Sequence, residues 1–285
     1  MKRDIVLTVF MFFLACTINA QTDTLYIMKN GLVVGKYNVN TQIDSIIFYQ
    51  PQTQPGITFT DSRDGNVYQT VTIGKQVWMA ENLKYLPGIV GPETGSLTDP
   101  CYYVYGYNDT DVTDPTTTAN YITYGVLYNW PAAMNGATSS TANPSGVQGV
   151  CPEGWHLPSD TEWTELENYL ADNGYKYDGT TGGGTENTAK SMASANGWSS
   201  SSNTGAVGNT DYPAYINKSG FTALPGGYRY RTGTFSSIGN LSYWWSATEN
   251  DIYYTWARYI NYDLSNVYRS NYFKRSGFSV RCLRD

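Results

Sequence analysis

Apolar and polar positions alternate along this chain in short stretches broken by Gly, Asn and Pro, the pattern of half-buried β-strands joined by turns. From Asp23 to Tyr37 one such stretch doubles back across Asn30-Gly31, which predicts a hairpin. Ile43 to Tyr49 adds a third short strand. Three strands of this size are marginal alone, so residues 21–50 are expected to form a small β unit that packs on something else. Residues 51–57, with Pro51 and Pro55, read as a linker. A main domain then spans residues 58–285. Its first hairpin covers Asn66 to Leu83 and turns at Gly74-Lys75, with Tyr68, Thr70 and Thr72 alternating against Val67, Val71 and Ile73. Tyr124 to Trp130 reads as a strand, and Pro131 opens one helical turn through Met134. Strands at 241–249, 255–262 and 277–285 complete the sheet.

The period changes to that of a helix after Cys151-Pro-Glu-Gly-Trp-His-Leu-Pro. Ser159 is a natural N-cap, Glu162 completes a capping box, and Asp160 and Glu162 suit the positive end of the helix dipole. Trp163, Leu166 and Leu170 make one apolar stripe, and Asn173-Gly174 ends the helix. A shorter helix is expected from a Thr185 cap through Ala193. Residues 86–120 show no period and read as a long surface loop, as do the glycine-rich stretch after Asp178 and the serine-rich one after Gly197.

Composition sharpens this picture. The 285 residues allow one or two domains with a sizeable core. Aromatics equal charged residues at 15% each, with 26 Tyr and 8 Trp, a balance that suits pleated faces and contact surfaces for sugars or proteins. Met1 to Ala20 reads as a signal peptide: Lys2 and Arg3, an apolar stretch from Ile5 to Cys16, then Ile18-Asn19-Ala20. Phe13-Leu14-Ala15-Cys16 offers a rival reading, lipidation at Cys16. Either route exports the protein to the cell surface, the outer membrane or the medium. No later run is long enough to span a bilayer. Loss of Lys2, Arg3 and Asp4 takes the formal charge from −6 to −7, and an acidic chain without basic blocks argues against nucleic acid as a partner. Cys101, Cys151 and Cys282 remain, an odd number that leaves one thiol outside any bridge.

Six segments occur in order: QVWMAENL (76–83), YGVLYNW (124–130), CPEGWHLPSDTEW (151–163), FTALPGG (221–227), WWSATE (244–249) and GFSVRCLRD (277–285). Together they resemble the Fibrobacter succinogenes major paralogous domain (FISUMP) of exported Bacteroidetes and Fibrobacteres proteins, over roughly residues 58–285. WHLPSDTEW and GFSVRCLRD are more distantly similar to signatures of the formylglycine-generating enzyme fold, a relative of C-type lectins. The resemblance implies an α+β, C-type-lectin-like domain with a twisted antiparallel sheet, flanking helices and long loops. In that fold the first and last strands pair, which implies a disulfide between Cys151 and Cys282.

The chemistry legible in the chain is sparse. His156 is the only histidine and no triad spacing accompanies it. The copper-binding cysteine pair of the formylglycine-generating enzymes is missing near Cys282, so that activity is not carried over. Glu249, Asn250 and Asp251 are the candidate metal ligands, for Ca²⁺, although the Glu-Pro-Asn and Trp-Asn-Asp triplets of calcium-dependent lectins are lacking. Asp109 to Asp114 spaces carboxylates as a calcium loop does, without a complete ligand set. Tyrosines crowd the last third of the chain, and Tyr228, Tyr230, Tyr253 and Tyr254 flank loops, which makes them the candidate ligand-binding residues. No catalytic set and no organic cofactor are expected. The reading is a non-enzymatic, cell-surface binding protein for a carbohydrate or protein partner. The alternatives are a structural or fimbrial surface subunit, using exposed strand edges in residues 21–50, and then an enzyme acting on extracellular polymer.

Overall fold

The computed structural model describes residues 24–29, 32–38, 58–111 and 115–285, and the chain divides into two compact units, residues 1–53 and 54–285. In the first, β1 (Thr24–Lys29) and β2 (Leu32–Asn38) pair antiparallel with Lys29 opposite Leu32. The export signal, the Asn30-Gly31 turn, the third strand at Ile43–Tyr49 and the linker at 51–57 lie outside the described residues.

The second unit is mixed α+β, mostly curled sheet with a few short helices. One sheet holds β3 (Thr58–Thr60), β4 (Val67–Ile73), β5 (Gln76–Met79), β14 (Leu283–Arg284) and β8 (Trp155–His156), in that order. The β4–β5 hairpin turns where its sequence predicts, with Ile73 opposite Gln76. Gly74 takes a left-handed φ of 64° there, and a Cβ would stand 2.8 Å from the Tyr169 ring. Leu283 lies between Trp78 and His156, so the closing strand of the chain is an interior strand of this sheet. The other sheet runs β10 (Phe235–Ile238), β9 (Gly226–Arg229), β11 (Leu241–Glu249), β12 (Tyr254–Asn261), β13 (Val267–Phe273), antiparallel except for β9 against β11.

Between these sheets lies α3 (Asp160–Asp172), whose capping box is complete: Glu162 N–H donates to Ser159 Oγ and Ser159 N–H to Glu162 Oε2. Such caps are worth about 1 kcal/mol each. Its stripe of Trp163, Leu166 and Leu170 is buried among Trp78, Phe221, Trp244 and Ile260. Alternation along β11 sends Trp244 to that core and Tyr243 and Trp245 to a second core shared with Phe278, Val280 and the Cys151–Cys282 disulfide. Cys101 is buried and free.

Several local expectations are corrected. The segment expected as a surface loop at 86–120 is partly built into the core: Ile89, Cys101, Tyr103 and Val104 are buried, and β6 (Tyr102–Tyr103) pairs with β7 (Leu127–Tyr128). Asn129 makes this burial tolerable, accepting from Cys101 N–H at 2.8 Å and donating to the carbonyls of Asp99 and Ser96. Tyr124 ends α1 (Ala119–Tyr124), capped by Thr118, and only residues 127–128 of the expected strand are extended. The turn opened by Pro131 is α2 (Trp130–Met134), with Asn129 as its N-cap. The helix expected from Thr185 shrinks to α4 (Ala189–Met192), because Gly184 and Asn187 take left-handed φ values. Residues 277–282 run through the interior with isolated bridges to Arg229, Tyr128 and Trp244 instead of forming one strand. No helix among the described residues is long and apolar enough to cross a membrane.

Candidate functional site

The ends of β9, β12 and β13 enclose an aromatic cleft of about 290 Å³. Its inner wall is the edge-and-face stack of Tyr228, Tyr243, Tyr272 and Phe278: Tyr243 lies 4.6 Å from Phe278, 5.0 Å from Tyr228 and 5.2 Å from Tyr272. Tyr254 and Tyr230 stand nearer solvent, Tyr254 tilted against its cross-strand partner Phe273 at 4.3 Å. Arg231, Asn271 and Ser276 supply the polar part of the lining, and no carboxylate lines the cleft. Burial raises the phenols of Tyr243 and Tyr272 above the ordinary tyrosine range, so both stay protonated.

Three of the four candidate tyrosines, Tyr228, Tyr230 and Tyr254, therefore meet at one place although Tyr254 comes from a different segment from the other two. Tyr253 does not line the cleft. It is exposed, held by its N–H to Asp251 and by its carbonyl, which accepts from Lys274. Arg231 escaped sequence reasoning, although the alternation Tyr228-Arg229-Tyr230-Arg231 was a usable signal. Arg229, its neighbour in that pattern, is buried and spends its guanidinium on the carbonyls of Pro92, Thr94 and Arg275.

The candidate metal ligands have other engagements. Glu249 pairs with Lys274, Asp251 accepts from the amides of Tyr253 and Tyr254 at 2.8 Å, and Asn250 donates to Asp251. Among the described residues no group of three or more His, Cys, Asp or Glu side chains could hold a metal ion. Asp114, the last carboxylate of the other acidic loop, lies outside the described residues. A larger groove of about 620 Å³ runs between α3 and the β4–β5 turn, lined mainly by polar side chains with Tyr169 as its one aromatic.

His156 is held between two carboxylates, Nδ1 at 2.6 Å from Asp285 and Nε2 at 2.8 Å from Glu162. Both ring nitrogens are engaged, so neither is free to act as a base on a ligand. Burial alone would lower its pKa, but the hydrogen bonds and charges of Glu162 and Asp285 outweigh it and raise the value above 6.5. A raised folded pKa stabilises the fold fully below about pH 6.5, and that contribution is lost as pH rises through the folded value. Denaturant unfolding at intervals from pH 6 to 9 is expected to show this decline. H156Q should flatten it and cost about 2 kcal/mol at pH 6; an unchanged slope would show that the His156 charge does not stabilise the fold.

No curated protein and no solved structure matches the chain. A family model, the Fibrobacter succinogenes major domain, matches residues 71–284, a span that runs from β4 into β14 and contains the whole cleft. The disulfide, the capped α3 and the closing strand thus all lie within one recognised domain, and the chain belongs to the Fibrobacter succinogenes major domain family.

Proposed function

We propose that this is an exported, cell-surface, non-enzymatic protein whose C-type-lectin-like domain binds a carbohydrate in the Tyr228–Tyr230–Tyr254 cleft. The observation that carries the reading is the convergence of those three tyrosines on one concave, aromatic surface. Aromatic faces take up the apolar face of a sugar ring, while Asn271, Ser276 and the phenols offer hydrogen bonds to hydroxyls. The cleft is the size of a small-molecule site. A stable protein interface needs about 800 Å² from each partner, which favours a sugar over a protein here. The pairing of the last strand, β14, with β5 near the start of the domain supports the lectin-like assignment. The carboxylate-free lining supports binding without catalysis, since glycoside hydrolysis generally needs two carboxyl groups across the bond.

A glycan array probed with the full chain tests this. Saturable binding is expected, and Y230A and Y254A should each weaken it about 10- to 30-fold, as truncation of an aromatic anchor does. Binding that neither variant weakens, or no saturable binding at all, would overturn the reading.

A further inference from the structure

Resting on that reading, we infer that the cleft selects a negatively charged saccharide, one whose carboxylate is held by Arg231. The Arg231 guanidinium lies over the Phe273 ring at 4.3 Å and beside the Tyr230 ring at 5.6 Å. Aromatic neighbours fix the plane of a guanidinium while leaving its edge donors available, and a planar fork matches a carboxylate through two parallel hydrogen bonds. In this chain those donors are unused. Arg231 makes no side-chain hydrogen bond or ion pair among the described residues, and its Nε is buried without a partner. Buried donors in folded proteins are almost always bonded, so an orphaned one at the wall of a cleft points to a group that arrives from outside.

The surrounding charge agrees. Arg275 approaches the same Phe273 ring at 5.8 Å, and its Nε too is buried and unpartnered. No carboxylate lines the cleft, and two acids close to it in sequence are committed elsewhere, Asp251 to the amides of Tyr253 and Tyr254 and Glu249 to Lys274. Two cations without counter-charges therefore stand at one aromatic ring of a chain whose formal charge is −6. Opposite charge favours an anionic ligand, and the small aromatic cleft favours a sugar acid such as a uronic or sialic acid.

The test is calorimetric titration of the full chain with matched probes: oligogalacturonate against its methyl ester, sialyllactose against lactose, plus a sulfated oligosaccharide and a poly-glutamate peptide. At least one carboxylated probe is expected to bind about tenfold or more tightly than its uncharged partner, with affinity falling as salt rises. R231Q should lower that affinity about 10- to 100-fold, the value of a charge-assisted pair, and flatten the salt dependence, while R231K falls between. Arg231 is half-exposed, and an unfolding midpoint unchanged from the native chain checks that each variant is folded. Equal binding of charged and neutral probes, lost in Y254A but not in R231Q, would overturn the carboxylate assignment and leave the carbohydrate reading standing. Binding only of the sulfated probe would do the same. Capture of poly-glutamate alone, or of nothing, would overturn both.

Discussion

Removing the Cys151–Cys282 bridge is expected to lower the unfolding free energy by about 4–5 kcal/mol, because a cross-link closing so long a loop strongly restricts the unfolded chain. The two cysteines are separated by 131 residues, and both sulfurs sit fully buried in the core beside Val280 and Trp155. The bridge also fastens the two-residue β14, which joins β8 to the rest of its sheet. On one side Cys282 accepts from Met79 N–H at 3.1 Å. On the other, Arg63 holds the Val150 carbonyl at 2.9 Å while pairing with Asp61. Without the bridge, β14 keeps its place through short ladders to Trp78, Trp155 and His156, the Asp285 N–H to the Gly154 carbonyl and the burial of Leu283. The doubly substituted C151A/C282A chain should lose about 1–2 M in its urea midpoint. C101A, which leaves the bridge intact, should lose far less. Hydrogen exchange at Leu283 should accelerate more than exchange at Leu166 in α3. A loss below about 1 kcal/mol would show that packing alone secures the closing strand.

How much of this was legible in advance depends on where the stabilising partners lie. The helix α3 could be read because its cap, stripe and stop fall within one segment, and the structure shows the Ser159–Glu162 box and the buried Trp163 face. The β4–β5 turn was legible for the same reason. The disulfide came from family likeness, since spacing cannot choose among three cysteines. The segment at 86–120 misled because its backbone is satisfied by side chains far away in sequence, Asn129 and Arg229, and such donors leave no periodic trace. The alternation of β4 likewise leaves open which face turns inward: Val67 is exposed, while Tyr68 is buried with its hydroxyl accepting from Lys84 N–H. Arg281 shows the same limit. It is buried among the carbonyls of Met79, Phe221 and Thr222 and the Asn82 amide oxygen, and burial pushes its pKa down to about 9.

The site divides along the same line. Tyr228, Tyr230 and Tyr254 were recognisable as aromatics beside loops, but their convergence was not, because it depends on β9 and β12 flanking β11 in one sheet. Arg231 gains its character from Phe273, which lies on another strand. Local patterns therefore identify the frame and the aromatic supply of this protein. The assembly of the cleft is a property of strand order.

The second large effect is expected at Arg258, which is buried on β12 and donates to Glu167, to Asp160 Oδ1 at 2.6 Å and to Thr164 Oγ1 at 3.0 Å on α3. R258A leaves Glu167 buried without its counter-charge, and removing one partner of a buried pair costs about 3–5 kcal/mol. Asp160 suffers less. Burial would raise its pKa, but Arg269 and Arg258 together lower it, and Arg269, stacked over Trp256 at 3.3 Å, remains at 2.8 Å. Glu167 is already raised by burial despite the opposing pull of Arg258. A carboxyl with a raised folded pKa weakens the fold as pH climbs through and above its unfolded value, and loss of Arg258 enlarges that penalty. The deficit of R258A measured by urea unfolding should therefore be larger at pH 7 than at pH 4.5, where Glu167 takes up a proton. A deficit that came only from lost packing would be the same at both. The double variant R258M/E167L, which replaces the pair by apolar groups of similar volume, should recover most of the loss at pH 7, because the cost lies in the uncompensated charge. A double variant as unstable as R258A would instead place the cost in the geometry that Arg258 imposes on α3 through Asp160 and Thr164.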